Sequence, residues 1–364
     1  MTKLHELNEL GQSVWLDYIH REMLGEQGEL ARLVGQGVRG VTSNPTIFEK
    51  AVATNAYDDQ IQEIIAGDGD TRPEAVFEEL AVRDIRGAAD VLLAVYESSD
   101  GRDGFVSLEV APDLGYDTDG TIEAARRLWT RADRPNVLIK VPATDEGIPA
   151  VEELIAAGIN VNITLMFSLA DYEAVSHAYL RGLERTSDPS RIASVASFFV
   201  SRVDTKTDEA LDKVGTGEAM ELRGRIAIAN AKLAYRRYKE IFEGGAFADL
   251  AARGARPQRV LWASTSTKNP EYLDTMYVDE LIGPNTVNTM PLQTIEAFLD
   301  HGTLAPTLTA GVDVAEQQIA RLADLGVSYD EITRELQTEG VQAFADSMTD
   351  LYTTIAEKIR ALES

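Results

Sequence analysis

The stretch NVLIKVPATDEGIPAVEELIAAGINVNITLMF (136–167) decides the fold. It opens on a short β-rich apolar run, passes through a segment with helical spacing (Ile148–Ala157) and ends on a second apolar run at 159–167. A strand, a helix and a strand in that compass make a βαβ unit, and such units build parallel sheets. Working outward, similar runs recur at SVWLD (13–17), GVTSN (40–44) and FVSLEV (105–110), and again at IASVASFFV (192–200), RVLWAS (259–264) and NTVNTM (285–290). Eight runs suit a closed α/β barrel of the (β/α)8 kind.

Between the runs lie further helix candidates: Thr46–Ala66, Pro73–Val91, Thr121–Arg131 and Leu169–Leu183. The residues before Ser13 read as a helical arm (1–12), and the tail 311–364 as helices packed on the barrel. No Pro/Ser/Gly-rich linker or repeat array interrupts the chain, which favours a single domain over 1–364. The longest gap between runs, Asp204–Arg253, reads as one crossover helix with an insertion. Its basic residues Arg223, Arg225, Lys232, Arg236, Arg237 and Lys239 read as a solvated helix face.

Composition narrows the chemistry. An apolar fraction of 44% is that of a folded soluble protein, and no uninterrupted apolar stretch is long enough to span a bilayer. The N-terminal MTKLHELNELGQSVWLDYIHR lacks the basic-then-apolar layout of a secretory signal, so a cytoplasmic protein is expected. With no Cys, thiolate nucleophiles and thiolate metal sites are excluded, and His5, His20, His177 and His301 show no metal-ligand spacing. Neither metal nor cofactor is expected. A net charge of −26 argues against nucleic acid and anionic membranes as partners. The same field repels an anionic metabolite, so a phosphorylated substrate requires a local cationic pocket.

Two motifs are discarded. Gly35, Gly37 and Gly40 spell G-x-G-x-x-G, but a dinucleotide fingerprint follows a strand and opens a helix, whereas this one precedes the GVTSN strand. Asn162-Ile-Thr164 fits a glycosylation sequon inside a strongly apolar strand.

What remains is a polar rim. Strand alternation puts Leu138, Lys140 and Pro142 on one face and Val137, Ile139 and Val141 on the other, so Lys140 points into the barrel near its C-terminal end. Burial among apolar neighbours disfavours an ammonium and leaves amine free to attack a carbonyl. Other runs carry polar residues in the same phase: Asn162 with Thr164, Glu109 with Ser107, Thr42 with Asn44, and Asp17 at the end of the first. Cleaving the C3–C4 bond of a ketose needs an acid/base for the C4 hydroxyl, a role that suits Asp17. It also needs a held water, which suits Glu109 and Thr164, while Asn44 and Asn162 bond substrate hydroxyls. Arg202, in SFFVSR just past the sixth run and following Ser197, is the candidate for the phosphate.

Read together, WLD (15–17), VTSNPTIFEKA (41–51), SLEV (107–110), LIKVPAT (138–144), GINVNITLMFS (158–168), SFFVSR (197–202) and LWASTSTKNP (261–270) closely resemble the transaldolase family, in its longer single-domain bacterial type. The resemblance runs from Ser13 to about Pro291 and implies a circularly permuted class I aldolase TIM barrel. It implies transfer of a dihydroxyacetone unit from sedoheptulose 7-phosphate or fructose 6-phosphate to erythrose 4-phosphate or glyceraldehyde 3-phosphate, in the pentose phosphate pathway. By this resemblance Lys140 forms the Schiff base, Asp17 is the acid/base, and Glu109 and Thr164 hold the catalytic water. Asn44, Asn162 and Ser197 contact the dihydroxyacetone moiety and Arg202 the phosphate, with Thr42 and Phe199 as further candidate substrate-binding residues. Many relatives carry Ser-Phe-Arg after the seventh strand, where this chain has Ser264-Thr265-Ser266. Ser264 keeps its place, Ser266 replaces the arginine, and Lys268 is the candidate to restore the charge.

A fructose-6-phosphate aldolase is the nearest alternative, but those smaller relatives carry Gln where Glu109 stands and Tyr where Phe199 stands. A deoxyribose-phosphate-type aldolase comes next. A non-catalytic sugar-phosphate-binding barrel predicts loss of the lysine or its acid/base partner, and both are present. Either a monomer or a homodimer is compatible with the sequence.

Overall fold

The computed structural model describes residues 2–67 and 70–363; Met1 and Ser364, the outer ends of the two expected terminal arms, lie outside them. Eight parallel strands close into a barrel in chain order: β1 (Gln12–Leu16), β2 (Val38–Val41), β3 (Phe105–Glu109), β4 (Val137–Pro142), β5 (Val161–Met166), β6 (Ser194–Phe199), β7 (Arg259–Ala263) and β8 (Thr286–Met290). β8 pairs back onto β1, with Trp15 opposite Thr289. Every residue of β4 and β5 is buried, because one face meets the lumen and the other meets helices, which is why both read as nearly unbroken apolar runs. The helix between them, Gly147–Ala156, is covered in turn by Leu169–Arg185.

Three expectations shift. The second strand, expected at 40–44, ends at Val41, because Asn44 is the N-cap of a helix with Pro45 at its first position. Thr42 and Asn44 therefore leave the sheet in a turn and do not share a strand face. The helix expected over Thr46–Ala66 is broken into Pro45–Val52 and Asp58–Ile65, with Thr54 capping a short 3-10 turn between them. The Asp204–Arg253 gap is not one crossover helix. It lies within a run of helices that begins at Ser201–Val214 and continues through Gly217–Met220, Ile226–Phe242 and Ala248–Ala252. Of its basic residues Lys232 is buried, with its ammonium 3.1 Å from the Ala310 carbonyl and 3.3 Å from Glu280.

The discarded motifs have structural roles. Gly37 ends a helix at φ +116°. At Gly40 a Cβ would come within 2.6 Å of the Trp15 ring, so glycine is what lets the indole lie on β2. Asn162 is fully buried within β5.

Both terminal arms are helical: Lys3–Glu9 at one end, Val312–Asp324 and Tyr329–Leu362 at the other. The last, 34 residues long, packs against helices Pro45–Val52 and Ser201–Val214. It reaches the C-terminal ends of the strands, where the Gln337 amide donates to the Ala143 carbonyl (2.8 Å). Gly340 sits against Leu165, where a Cβ would approach within 2.9 Å. Leu165 is itself left-handed (φ +57°), at an irregularity in the β5–β6 register between Ile163 and Met166. Among the described residues no helix is long and apolar enough to cross a membrane.

Candidate active site

The sheet register sets Glu109, Lys140 and Asn162 side by side on β3, β4 and β5, with Thr164 opposite Pro142 one pleat higher. Lys140 is only 5% exposed, and its Nζ lies 2.9 Å from Glu109 Oε2 and donates to the Ser43 carbonyl at 2.9 Å. The turn that displaced β2 supplies that carbonyl. Burial pushes the Glu109 carboxyl above the ordinary range; the neighbouring Lys140 opposes the rise and the Asp17 charge adds to it.

Asp17 stands at the end of β1, its backbone N–H bonded to the Met290 carbonyl of β8 at 2.8 Å. Thr42 Oγ1 donates to Asp17 Oδ1 at 2.7 Å, and Thr289 Oγ1, 2.7 Å away, donates in turn to Thr42, whose single proton is already engaged. Removal from water raises the Asp17 pKa above its ordinary value. The Thr42 bond and the positive charges of Lys140, Lys268 and Arg202 act against the rise. Glu109 and Asp17 thus flank one lysine, and both hold a proton more readily than a solvated carboxylate does.

A cavity of about 680 Å³ opens above these groups, reached by Asp17, Thr42, Lys140, Thr164, Ser197 and Phe199. Thr164 Oγ1 is buried beside the cavity and has no hydrogen-bond partner among the described residues. At the rim stand Lys50, Arg202 and Lys268. The Arg202 guanidinium lies between two aromatic faces, 5.5 Å from the Phe199 ring and 6.0 Å from Phe344. Burial lowers its pKa, with Asp17 and Glu339 acting the other way. The helix that carries it, Ser201–Val214, is tied to the segment beyond. Asp204 accepts from the Ala227 N–H (2.7 Å) and the Tyr277 hydroxyl (2.8 Å), and burial raises its pKa to about 7. Asp208 likewise accepts from Gly224 and Tyr272. Part of the long Asp204–Arg253 stretch therefore braces the arginine.

A family model described as transaldolase/fructose-6-phosphate aldolase matches residues 14–355. The chain belongs to the transaldolase family. It is 50% identical to a transaldolase of Thiobacillus denitrificans over 356 residues, spanning 96% of this chain and 98% of that protein. It is also 50% identical to one of Thermobifida fusca (98% of each chain) and 48% identical to one of Mycolicibacterium smegmatis (96% and 95%).

Within this transaldolase-family barrel the residues singled out from sequence divide into those that border the cavity and those that do not. Asp17, Thr42, Asn44, Lys140, Thr164, Ser197, Phe199, Arg202, Ser264, Ser266 and Lys268 all border the cavity. Glu109 and Asn162, level with Lys140 in the sheet, do not border it. The Asn162 amide is engaged by Ser107 Oγ (3.0 Å) and Ser197 Oγ (2.7 Å), so it supports Ser197 from below. Asn44 spends its side-chain oxygen on the Ile47 N–H at 3.0 Å. Ser264, left-handed at φ +57°, has its hydroxyl 2.9 Å from that of Ser201, and Lys268 donates to Ser266 at 2.8 Å. Sequence reasoning missed Lys50 and Phe344. Lys50 had a readable signal, in the helix that Asn44 and Pro45 start; Phe344 had none, since it arrives from the last helix.

Proposed function

We propose that the cavity around Lys140 carries out transaldolase chemistry, moving a dihydroxyacetone unit between sugar phosphates. The observation that carries this reading is the buried Lys140–Glu109 pair with Asp17 beside it, under a rim of three cations. Lys140 Nζ, once its proton has passed to Glu109, adds to the C2 carbonyl of the ketose phosphate. The carbinolamine oxygen leaves as water, with Glu109 and Thr164 handling the water and its proton, and a protonated imine remains. Asp17 takes the C4 hydroxyl proton, the C3–C4 bond breaks, and its electron pair moves into an enamine on C3. The first aldose phosphate departs. C3 then attacks the aldehyde carbon of the acceptor, Asp17 returns the proton to the new C4 oxygen, and water releases the product from Lys140.

In this reading Ser197, Asn44 and Thr42 hold the dihydroxyacetone hydroxyls, with Asn162 fixing Ser197. Arg202 takes the phosphate bidentately, with Ser264, Ser266 and Lys268 beside it. The whole chain works as one elaborated barrel, since the last helix contributes Phe344 to the site it covers. The reaction belongs in the cytoplasm, where charged sugar phosphates are retained because they do not cross membranes.

The test is to incubate the protein with fructose 6-phosphate and borohydride and map the adduct, then to assay transfer to erythrose 4-phosphate. An adduct on Lys140 and transfer without free dihydroxyacetone are expected. A labelled peptide centred on another lysine refutes the assignment, and release of free dihydroxyacetone without transfer makes the chain an aldolase.

A further inference from the structure

A second cavity, of about 890 Å³, lies at the opposite, N-terminal mouth of the barrel. It is larger than the cavity over Lys140, and the reaction above uses none of it. Four arginines line it, Arg39, Arg102, Arg256 and Arg259, against two carboxylates, Asp100 and Asp103. That excess runs against the chain as a whole, which has 60 acidic residues, 34 basic ones and a net charge of −26. Several arginines elsewhere are doubly matched: Arg131 bonds both Glu78 and Glu79, and Arg185 both Glu152 and Glu153.

The four arginines fall into two kinds. Arg259 is fixed, donating to Ser13 Oγ (2.7 Å) and the Arg102 carbonyl (2.7 Å) and lying 3.5 Å from Asp103. Arg256 is fixed as well, donating to the Gly101 carbonyl, with Asp100 at 3.6 Å. The guanidiniums of Arg39 and Arg102 have no hydrogen bond or ion pair with any described residue. Asp100 and Asp103 offset the two anchored arginines and leave Arg39 and Arg102 as an excess of positive charge around one hollow, and a planar guanidinium offers paired N–H donors to phosphate or carboxylate oxygens.

We propose that this mouth is a binding site for a small polyanion, a phosphorylated molecule carrying two or more negative charges. Arg39 and Arg102 grip it, and Arg256 and Arg259, each offset by its aspartate, form a fixed back wall. The site is independent of the reading of Lys140, because none of its residues borders the catalytic cavity.

Inorganic pyrophosphate is the probe, followed by calorimetric titration at low ionic strength. Because the catalytic rim also carries cations, the titration is run on the Arg202→Ala/Lys268→Ala double variant as well as on the unaltered chain. Binding of about one equivalent is expected to survive in that background. Adding Arg39→Ser and Arg102→Ser to it should raise Kd about tenfold or more. The charge-retaining pair Arg39→Lys/Arg102→Lys should weaken binding less than the serine pair, which separates lost charge from a disturbed fold. In the otherwise unaltered chain, Arg39→Ser/Arg102→Ser should leave kcat and KM for fructose 6-phosphate unchanged. The proposal is overturned if pyrophosphate does not bind, if binding disappears with Arg202 and Lys268, or if the serine pair leaves Kd unchanged.

Discussion

The two mouths of the barrel use the same kinds of residue differently beneath their cavities. At the N-terminal mouth the Asp103 carboxylate accepts from Ser13 Oγ and, at 2.8 Å, from the Trp15 indole, while Arg259 bonds Ser13 and faces the same carboxylate. Acid, base, hydroxyl and ring N–H answer one another in the floor of the N-terminal cavity. At the C-terminal mouth Lys140 and Glu109 pair below the cavity, but Asp17, Thr164, Arg202 and Lys268 keep binding capacity directed into it. The Ser13–Trp15–Asp103–Arg259 cluster is satisfied and serves stability, whereas the C-terminal mouth has left-handed residues, Leu165 and Ser264, in its neighbouring segments.

Substitutions should separate the two mouths by what they abolish. Lys140→Met is expected to remove transfer entirely and, because it strands the Glu109 carboxylate in the interior, to change thermal stability as well. Retained turnover, measured as aldose phosphate formed, would break the assignment of the nucleophile. Asp17→Ala should slow carbon–carbon cleavage about 10²–10⁴-fold. Borohydride trapping on Lys140 should persist in that variant, since imine formation precedes the proton transfer assigned to Asp17.

At the other mouth, Asp103→Ala should cost about 3–5 kcal/mol in denaturant unfolding, because Arg259 and the Trp15 N–H lose a buried partner. The folded fraction should keep its kcat. A large fall in kcat without loss of stability would contradict the division between the mouths. Arg202→Ala should raise KM for fructose 6-phosphate by the equivalent of about 1.5–3 kcal/mol and spare turnover of an unphosphorylated ketose.

The smallest effect concerns pH. Asp17 must be ionised to take a proton, and its pKa is raised by burial but held down in part by Lys268. Lys268→Ala removes that opposing charge, so the acidic limb of kcat/KM should move to higher pH. A downward or absent shift would place Lys268 too far from Asp17 to act on it.

Much of the barrel was readable because each strand sits between two apolar layers and announces itself as a short apolar run. NVLIKV and INVNITLMF fell within a residue or two of β4 and β5. GVTSN was misplaced because the helix-capping preference of Asn44-Pro45 ends the strand after Val41. Local pattern cannot weigh a cap against a ladder. The partners of Asn162 were equally hidden, since strand phase says which face a residue is on and not which side chains meet it there.

By itself the sequence determined the alternation of strands and helices, the inward phase of Lys140, and the absence of cysteine chemistry. It also set the need for a cationic pocket in a chain of charge −26. Only the tertiary structure decided that the Ser43 carbonyl and Glu109 hold the lysine, that Phe344 from the last helix faces Arg202, and that four arginines gather at the far mouth. The reason is physical: periodicity is carried by neighbouring residues, whereas these contacts join segments from about 30 to more than 200 residues apart, brought together when the barrel closes and the helices pack on it.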